Sequence, residues 1–380
     1  MSKIQLIATA TFGLEAVVAR EVKELGYEDM MVENARVTFA GDETAICRAN
    51  LWLRAADRVL VKMGEFPARS FEELFQQTKA LPWPDWLPES AAFPVEGKSV
   101  KSQLHSVPDC QAIVKKAVVE KMKQVYKREW FAENGPRYTI EVALLNDSAT
   151  LTLDTSGAGL HKRGYRKLAS PAPLKETLAA ALILLSRWGP DRPFIDPLCG
   201  SGTLPIEAAL LGLNLAPGAG RTFAAEKWPV VSQSLWNRAR EEAADLARRD
   251  RPVRVLGSDL DGEVLDLARC HAQQAGVAEN VFFQKLPVAG LRSARKYGCL
   301  ICNPPYGERL GDISRVEQLY REMGTAFREL DTWSCYVLTA HPGFERLFGR
   351  RADKKRKLYN GRIRCNYYQF YGPRPPRKKT

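Results

Sequence analysis

Residues 192–213 constrain this chain more than any other stretch. Arg192-Pro193-Phe194-Ile195 reads as a strand that ends at Asp196. Asp196-Pro197-Leu198-Cys199-Gly200-Ser201-Gly202-Thr203 reads as a glycine-rich turn, and residues 204–213 as a helix. Strand, glycine turn and helix in that order make the first unit of a doubly wound sheet. Glycines in such a turn let the backbone come close to a ligand. The turn has neither the G-x-G-x-x-G of a dinucleotide site nor the G-K-[ST] ending of a P-loop, so it is not built for a pyrophosphate. The next strand, from Val253, runs into Ser258-Asp259-Leu260-Asp261. An acid at that position can bind ribose hydroxyls, or it can cap the following helix. Ligands in sheets of this kind bind at the carboxyl ends of the strands.

A third strand end carries the chemistry. The apolar run Cys299-Leu300-Ile301-Cys302 leads into Asn303-Pro304-Pro305-Tyr306. The exocyclic amine of a nucleobase is a poor nucleophile, because its lone pair is delocalised into the ring. The Asn303 side-chain oxygen and the Pro304 carbonyl can accept its two N–H groups and return density to nitrogen. Proline stiffens the turn and brings no N–H of its own. Tyr306 offers a ring on which an extruded base can stack. Taken alone, Asn-Pro-Pro is also an ordinary loop after a strand.

The stretches Asp196 to Ala209 and Asn303 to Leu310 resemble the bacterial THUMP-domain RNA methyltransferases, class I enzymes that use S-adenosylmethionine to make N2-methylguanosine. The resemblance also takes in Leu153-Asp154-Thr155-Ser156-Gly157, the run from His161 to Arg166, and Lys357-Leu358-Tyr359-Asn360-Gly361. It implies an α/β chain: a C-terminal class I (Rossmann-like) methyltransferase domain with a seven-stranded sheet, plus N-terminal α+β ferredoxin-like and THUMP domains, at residues 161–380, 1–68 and 69–160. It implies a cofactor site from Asp196, Cys199, Gly200, Ser201, Gly202 and Thr203, with Asp259, Leu260 and Asp261 at the ribose and Pro173, Leu174 and Lys175 against the methionine end. Asn303, Pro304, Pro305 and Tyr306 would be catalytic. The family often places an acid after the third strand to meet adenine. Here residues 282–291 contain none, which leaves Gln284 or backbone groups for that task.

The net charge of +12 is unevenly placed. From Arg346 onward there are 13 Lys or Arg and one acid, Asp353, and the rest of the chain is neutral overall. Positive charge interleaved with Tyr359, Tyr367, Tyr368, Phe370 and Tyr371 suits a phosphate backbone, although residues 373–380 read equally well as a solvated tail. Lys357 to Cys365 carries the hairpin signal of strand, Asn-Gly, strand, with the Asn-Gly pair taking the positive-φ turn, and would close the sheet edge. The eight cysteines are scattered, which points to a reducing cytosol without a disulfide framework. Cys299 and Cys302 point to opposite faces of one strand, so no metal site is expected. Cys199 and Cys302 read as small buried thiols. No apolar run approaches the ~18–20 residues that span a bilayer.

The N-terminal part alternates strand and helix patterns as β-α-β-β-α-β over residues 4–66, the ferredoxin-like order. Residues 81–88 form a proline-broken linker or lid containing Trp83 and Trp86. A lysine-rich helix follows over residues 112–127, then two strands. Read with the family, Lys115 and Lys116 on that helix would meet RNA. Lys162, Arg163 and Arg166 would meet RNA phosphates between the domains, or form an exposed linker. Residues 214–250 lengthen the first crossover, and the resemblance makes them an insertion that frames the active site. The expected reaction is methyl transfer to guanine N2 in RNA, with 23S ribosomal RNA ahead of transfer RNA as substrate. An amino-methyltransferase of DNA (adenine N6) and a non-catalytic RNA-binding assembly factor are the alternatives. No metal, no membrane partner and a cytoplasmic location are expected; oligomeric state is not legible.

Overall fold

The computed structural model describes residues 3–166, 174–306 and 313–376. In chain order the elements are β1 (Ile4–Ala10), α1 (Glu15–Glu24), β2 (Met30–Glu33), β3 (Arg36–Gly41), α2 (Glu43–Trp52), β4 (Ala56–Pro67), α3 (Phe71–Ala80), β5 (Val95–Val100), α4 (Val107–Tyr126), β6 (Ile140–Leu145) and β7 (Ser148–Asp154). There follow α5 (Glu176–Leu185), β8 (Phe194–Asp196), α6 (Thr203–Gly212), α7 (Gln233–Asp245), β9 (Val255–Asp259), α8 (Gly262–Gln274), β10 (Val281–Lys285), β11 (Cys299–Cys302), α9 (Ile313–Arg328), β12 (Ser334–Thr339), α10 (Phe344–Phe348), β13 (Lys354–Asn360) and β14 (Ile363–Phe370). They form two compact units. One comprises Met1–Ala10, Val18–Leu160 and Thr222–Glu242; the other comprises Thr11–Val17, His161–Arg221 and Ala243–Thr380.

The first unit is built on one seven-stranded sheet of order β2-β3-β1-β4-β7-β6-β5. The ferredoxin-like and THUMP segments share it through β4. This 12-residue strand pairs with β1 along its first half and with β7 along its second, across an irregularity between Lys62 and Gly64. Two elements lie outside the sequence expectation. Residues 71–80 form α3, whose Ser70 cap accepts the Glu73 N–H. Residues 95–100 form β5, parallel to β6. The tryptophans at 81–88 are packing groups: Trp83 is fully buried in a short 3₁₀ turn, with its indole N–H on the Thr78 carbonyl.

Leu153-Asp154-Thr155-Ser156-Gly157 is a structural lock within this unit. Thr155 Oγ1 accepts from Asn50 and donates to the Val59 carbonyl. Ser156 Oγ donates to Asn50 Oδ1 and accepts the Val59 N–H. All these groups are buried, and every bond replaces one that water would otherwise supply. Residues 222–242 pack on the same unit. Trp228 stacks on Tyr138 at 4.4 Å and donates its indole N–H to the Arg137 carbonyl, and Arg48 forms a forked ion pair with Glu242. The insertion after α6 thus contributes to the N-terminal core.

The second unit is a seven-stranded sheet of order β10-β9-β8-β11-β12-β14-β13, parallel except for β14 and β13. One face carries Ile195, Leu300, Cys302, Cys335, Val337, Tyr368 and Phe370, packed with α9 and α10. On the other face Tyr367 donates its hydroxyl to the Leu182 carbonyl of α5. Cys299 is absent from the cluster that contains Cys302, as alternation along β11 requires. The hairpin between β13 and β14 turns on Gly361-Arg362, not Asn360-Gly361. Asn360 still pairs with Ile363, and only Gly361 has a positive φ (60°). A glycine at the first central position is what a two-residue II′ turn uses.

Trp228 is 1 % exposed and has both a stacking partner and a hydrogen-bond partner. Trp228→Ala is expected to destabilise the first unit by roughly 3–5 kcal/mol, read as a lower urea midpoint.

Candidate active site

The parallel strands β9, β8 and β11 are neighbours, so their polar ends share one edge of the sheet. Asp196 is level with Gly257, and Leu300 with Ile195, which sets Asn303 just beyond the end of β11. The glycine turn is pinned there by three backbone N–H groups. Cys199 donates to the Ser258 carbonyl, Gly200 to Asp259 Oδ2 at 2.9 Å, and Gly202 to the Cys199 carbonyl. Both glycines have positive φ, 49° and 84°. A Cβ on Gly202 would strike the Phe283 ring at 2.9 Å, whereas one on Gly200 would meet nothing within 4 Å. The turn is therefore closed on its protein side and open at Gly200. With a carboxylate beside it, that is the shape and donor set that an adenosyl-type ligand needs.

The acids divide their tasks. Asp261 is the N-cap of α8 and accepts the N–H groups of Glu263 and Val264. Asp259 is thus not the cap; one oxygen holds Gly200 and the other accepts the Asp261 N–H. Asp196 is buried, accepts the Leu198 N–H, and has its carboxyl pushed well above the usual range by burial and by the nearby Asp259 charge. Leu260 projects from the same end and is 60 % exposed. Ser201 and Thr203 are buried at the start of α6, and the Ser201 carbonyl is hydrogen-bonded to the His271 ring. Leu174 is buried and Lys175 exposed at the entry to α5; Pro173 lies outside the described residues. Gln284 is exposed on β10, level with Ser258.

The turn at residues 303–306 is held from two directions. Tyr306 donates its hydroxyl to Asn303 Oδ1 and accepts from Asn360 Nδ2 at 3.4 Å. Tyr320 of α9 donates to the Pro305 carbonyl at 2.8 Å and bonds Thr339 of β12 at 2.9 Å. Pro304 is buried, Pro305 exposed, and Asn303 and Tyr306 half-buried. Burial first, then the nearby Cys365 thiol, raises the Tyr306 phenol, and burial pushes Tyr320 up to about 12. Both hydroxyls keep their protons at neutral pH and act as donors. Tyr320 and Thr339 have no signature in the sequence, and Asn360 reads there only as part of the hairpin turn. Tyr320 falls on the apolar stripe of α9 and reads there as core.

The basic residues differ in their partners. Arg163 is buried against Glu207, which also accepts the Tyr165 hydroxyl. Arg166 pairs with Glu176 at 3.4 Å and donates to Thr203 Oγ1 and the Leu174 carbonyl. These two arginines tie residues 163–166 to the entry of α5 and to α6, and Lys162 is exposed. In the first unit Lys115 is held by Glu133 and lies 3.6 Å from the Phe93 ring centroid, whereas Lys116 is exposed.

Cys199, Cys299, Cys302 and Cys335 are buried, and burial raises each thiol, Cys299 to about 12. Among the eight cysteines only Cys270 is partly exposed. Titration of the native protein with an aromatic disulfide should therefore show one fast thiol, lost in Cys270→Ser. For Asp196 the folded state holds its proton to higher pH than the unfolded state, so this group's burial penalty grows as pH rises. Asp196→Asn should raise the unfolding midpoint of the cofactor-free protein at pH 8. That gain should shrink as pH falls toward the ordinary carboxylate range near ~4.

Comparison with known proteins identifies the family. Residues 163–369 match the family described as "RMKL-like, methyltransferase domain", residues 5–60 the "RlmL ferredoxin-like domain" and residues 68–154 the THUMP domain. The chain is 53% identical to YpsC of Bacillus subtilis (strain 168), provisionally named an RNA methyltransferase, over 100% of this chain and 99% of that one. A crystal structure from Listeria monocytogenes str. 4b F2365, assigned as an N6-adenine-specific DNA methylase, superposes with TM-score 0.95 at 54% identity, covering 98% of this chain and 97% of that one. SMU.472, provisionally named a methyltransferase and crystallised with SAH, superposes with TM-score 0.94 at 49% identity over 99% and 100% of the two chains. This chain belongs to the RMKL-like methyltransferases that carry an RlmL-type ferredoxin-like domain and a THUMP domain.

Proposed function

We propose that the protein methylates the exocyclic N2 amine of a guanine in RNA, with 23S ribosomal RNA as substrate. S-adenosylmethionine is the donor, and when bound it supplies a methyl group already activated on sulfonium. The residues of the chain position, orient and exclude water. Asp259 and the open Gly200 side of the turn suit the ribose, Leu260 the adenine face, and Leu174 and Lys175 the methionine end.

One observation carries the reading. Asn303 stands just past the end of β11, one strand from the glycine turn, with its amide oriented by Tyr306. A carboxamide oxygen has two acceptor lone pairs. The Tyr306 hydroxyl takes one and leaves the other for the amine. The Pro304 carbonyl accepts the second N–H, in a turn stiffened by two prolines and the Tyr320 bond. Two acceptors fixed beforehand lower the cost of aligning amine, methyl and sulfur. The guanine must leave its stack to reach them. The amine becomes acidic once alkylated and then releases its proton to solvent.

RNA as substrate is supported by the THUMP match and by the name of YpsC. The description of the Listeria structure favours adenine in DNA as a second reading, because the same turn can hold any planar exocyclic amine. Incubating the protein with labelled S-adenosylmethionine and ribosomal RNA, transfer RNA or DNA, then digesting to nucleosides, separates the two. Label in N2-methylguanosine is expected, and label in N6-methyldeoxyadenosine would overturn the reading. Asn303→Ala should lower turnover by about a thousandfold, the scale of losing a main transition-state contact. Its affinity for SAH by calorimetry should stay within a factor of a few.

A further inference from the structure

The β13–β14 hairpin is longer than the sheet that supports it. β14 pairs with β12 only from Asn366 onward, where Asn366 meets Thr339, the last residue of β12. Residues 363–365 pair only with residues 358–360 of β13. Because β12 is parallel to β11, this ribbon overhangs the same carboxyl edge that carries Asn303. Alternation gives it two faces. Leu358 and Cys365 are buried, and on their face Asn360 reaches the Tyr306 hydroxyl. Lys357 and Tyr359 share the opposite face with Arg364, which lies directly across from Tyr359. Arg362 is at the tip.

Lys357, Arg362 and Arg364 are exposed, and among the described residues none has a carboxylate within ion-pair distance. Three other basic residues of this unit are paired instead: Arg166 with Glu176, Arg163 with Glu207 and Lys355 with Glu345. The ribbon is also braced. Phe12 packs edge-on to Tyr359 at 6.1 Å, and Arg356 donates to the Gly13 carbonyl. Phe12 is 49 % exposed, and Lys357 lies 5.5 Å from the Tyr359 ring centroid. Unpaired cations around two partly exposed rings, on a stiff ribbon beside a base-methylating turn, match what a nucleic-acid backbone with unstacked bases requires.

We infer that the overhanging hairpin grips the RNA strand next to the target guanine, with Lys357, Arg362 and Arg364 on phosphates of the flanking nucleotides and Phe12 and Tyr359 against a neighbouring base. This rests on the RNA reading above. Asn360 then links the grip to the chemistry, since it holds Tyr306, which orients Asn303.

The test is binding of a short labelled single-stranded oligoribonucleotide containing one guanine, by fluorescence anisotropy across a salt series, to the full chain and to K357A/R362A/R364A. The variant should bind at least tenfold more weakly at low salt. Its log K against log salt slope should be shallower by about 2, the loss of three single-strand phosphate contacts. Calorimetry with SAH and the thermal midpoint should match the parent. Removing three exposed cations elsewhere in the same unit, in R249A/R254A/K296A, should leave RNA affinity near the parent value, and R362K/R364K should retain most of it. If the parent binds the RNA and the hairpin variant binds it equally well, or the remote variant is weakened as much, the hairpin proposal is overturned and the RNA reading stands. If the parent binds duplex DNA strongly and RNA not at all, both are overturned.

Discussion

The hydrogen bond from the Gly200 N–H to the Asp259 carboxylate ties the first strand end to the second. It acts together with the backbone bonds at Cys199 and Gly202 and the bond between the Ser201 carbonyl and the His271 ring. With it, the open side of the turn and the carboxylate become one rigid surface. The positive φ of Gly200 and Gly202 fixes the direction of that surface, and Phe283 closes its underside. Asn303 then needs only the parallel pairing of β8 with β11 to be delivered beside it.

The methyltransferase sheet was legible because its strands are short apolar runs ending in residues with chemical character: Asp196, Asp259, Asn303. Each lies within a residue of where its strand stops. The doubly wound order and the closing hairpin followed from those punctuation marks. Residues whose function depends on distant partners were less legible. Arg163 and Arg166 look like exposed linker cations in sequence, and only the fold brings Glu207 and Glu176 to them. Tyr320 lies on the apolar face of α9, and nothing local distinguishes a tyrosine that pins the Pro305 carbonyl from one that fills a core. Asp259 and Asp261 stand two apart at a strand-to-helix turn, and only the hydrogen bonds separate the ligand-edge acid from the cap.

The N-terminal half shows the same limit at the level of modules. Its β-α-β-β-α-β order was readable, but β4 serves two modules, so a ferredoxin-like unit and a THUMP unit become one sheet. The helix at 71–80 escaped notice although Ser70 and Glu73 give it a start signal, and the strand at 95–100 escaped because only its end residues, Val95 and Val100, are apolar. The insertion after α6 folds onto the N-terminal core through Trp228 and Glu242, an outcome set by packing partners far away in the chain.

The central claim is that the Asn303 turn delivers a methyl group to guanine N2 in RNA. Nucleoside mass spectrometry on RNA from cells that lack this protein tests it most directly. The account predicts a loss of N2-methylguanosine from ribosomal RNA, restored by the intact chain and not by a chain with alanine at 303. Unchanged N2-methylguanosine in every RNA fraction, or a loss of methylated adenine from DNA in its place, would contradict it.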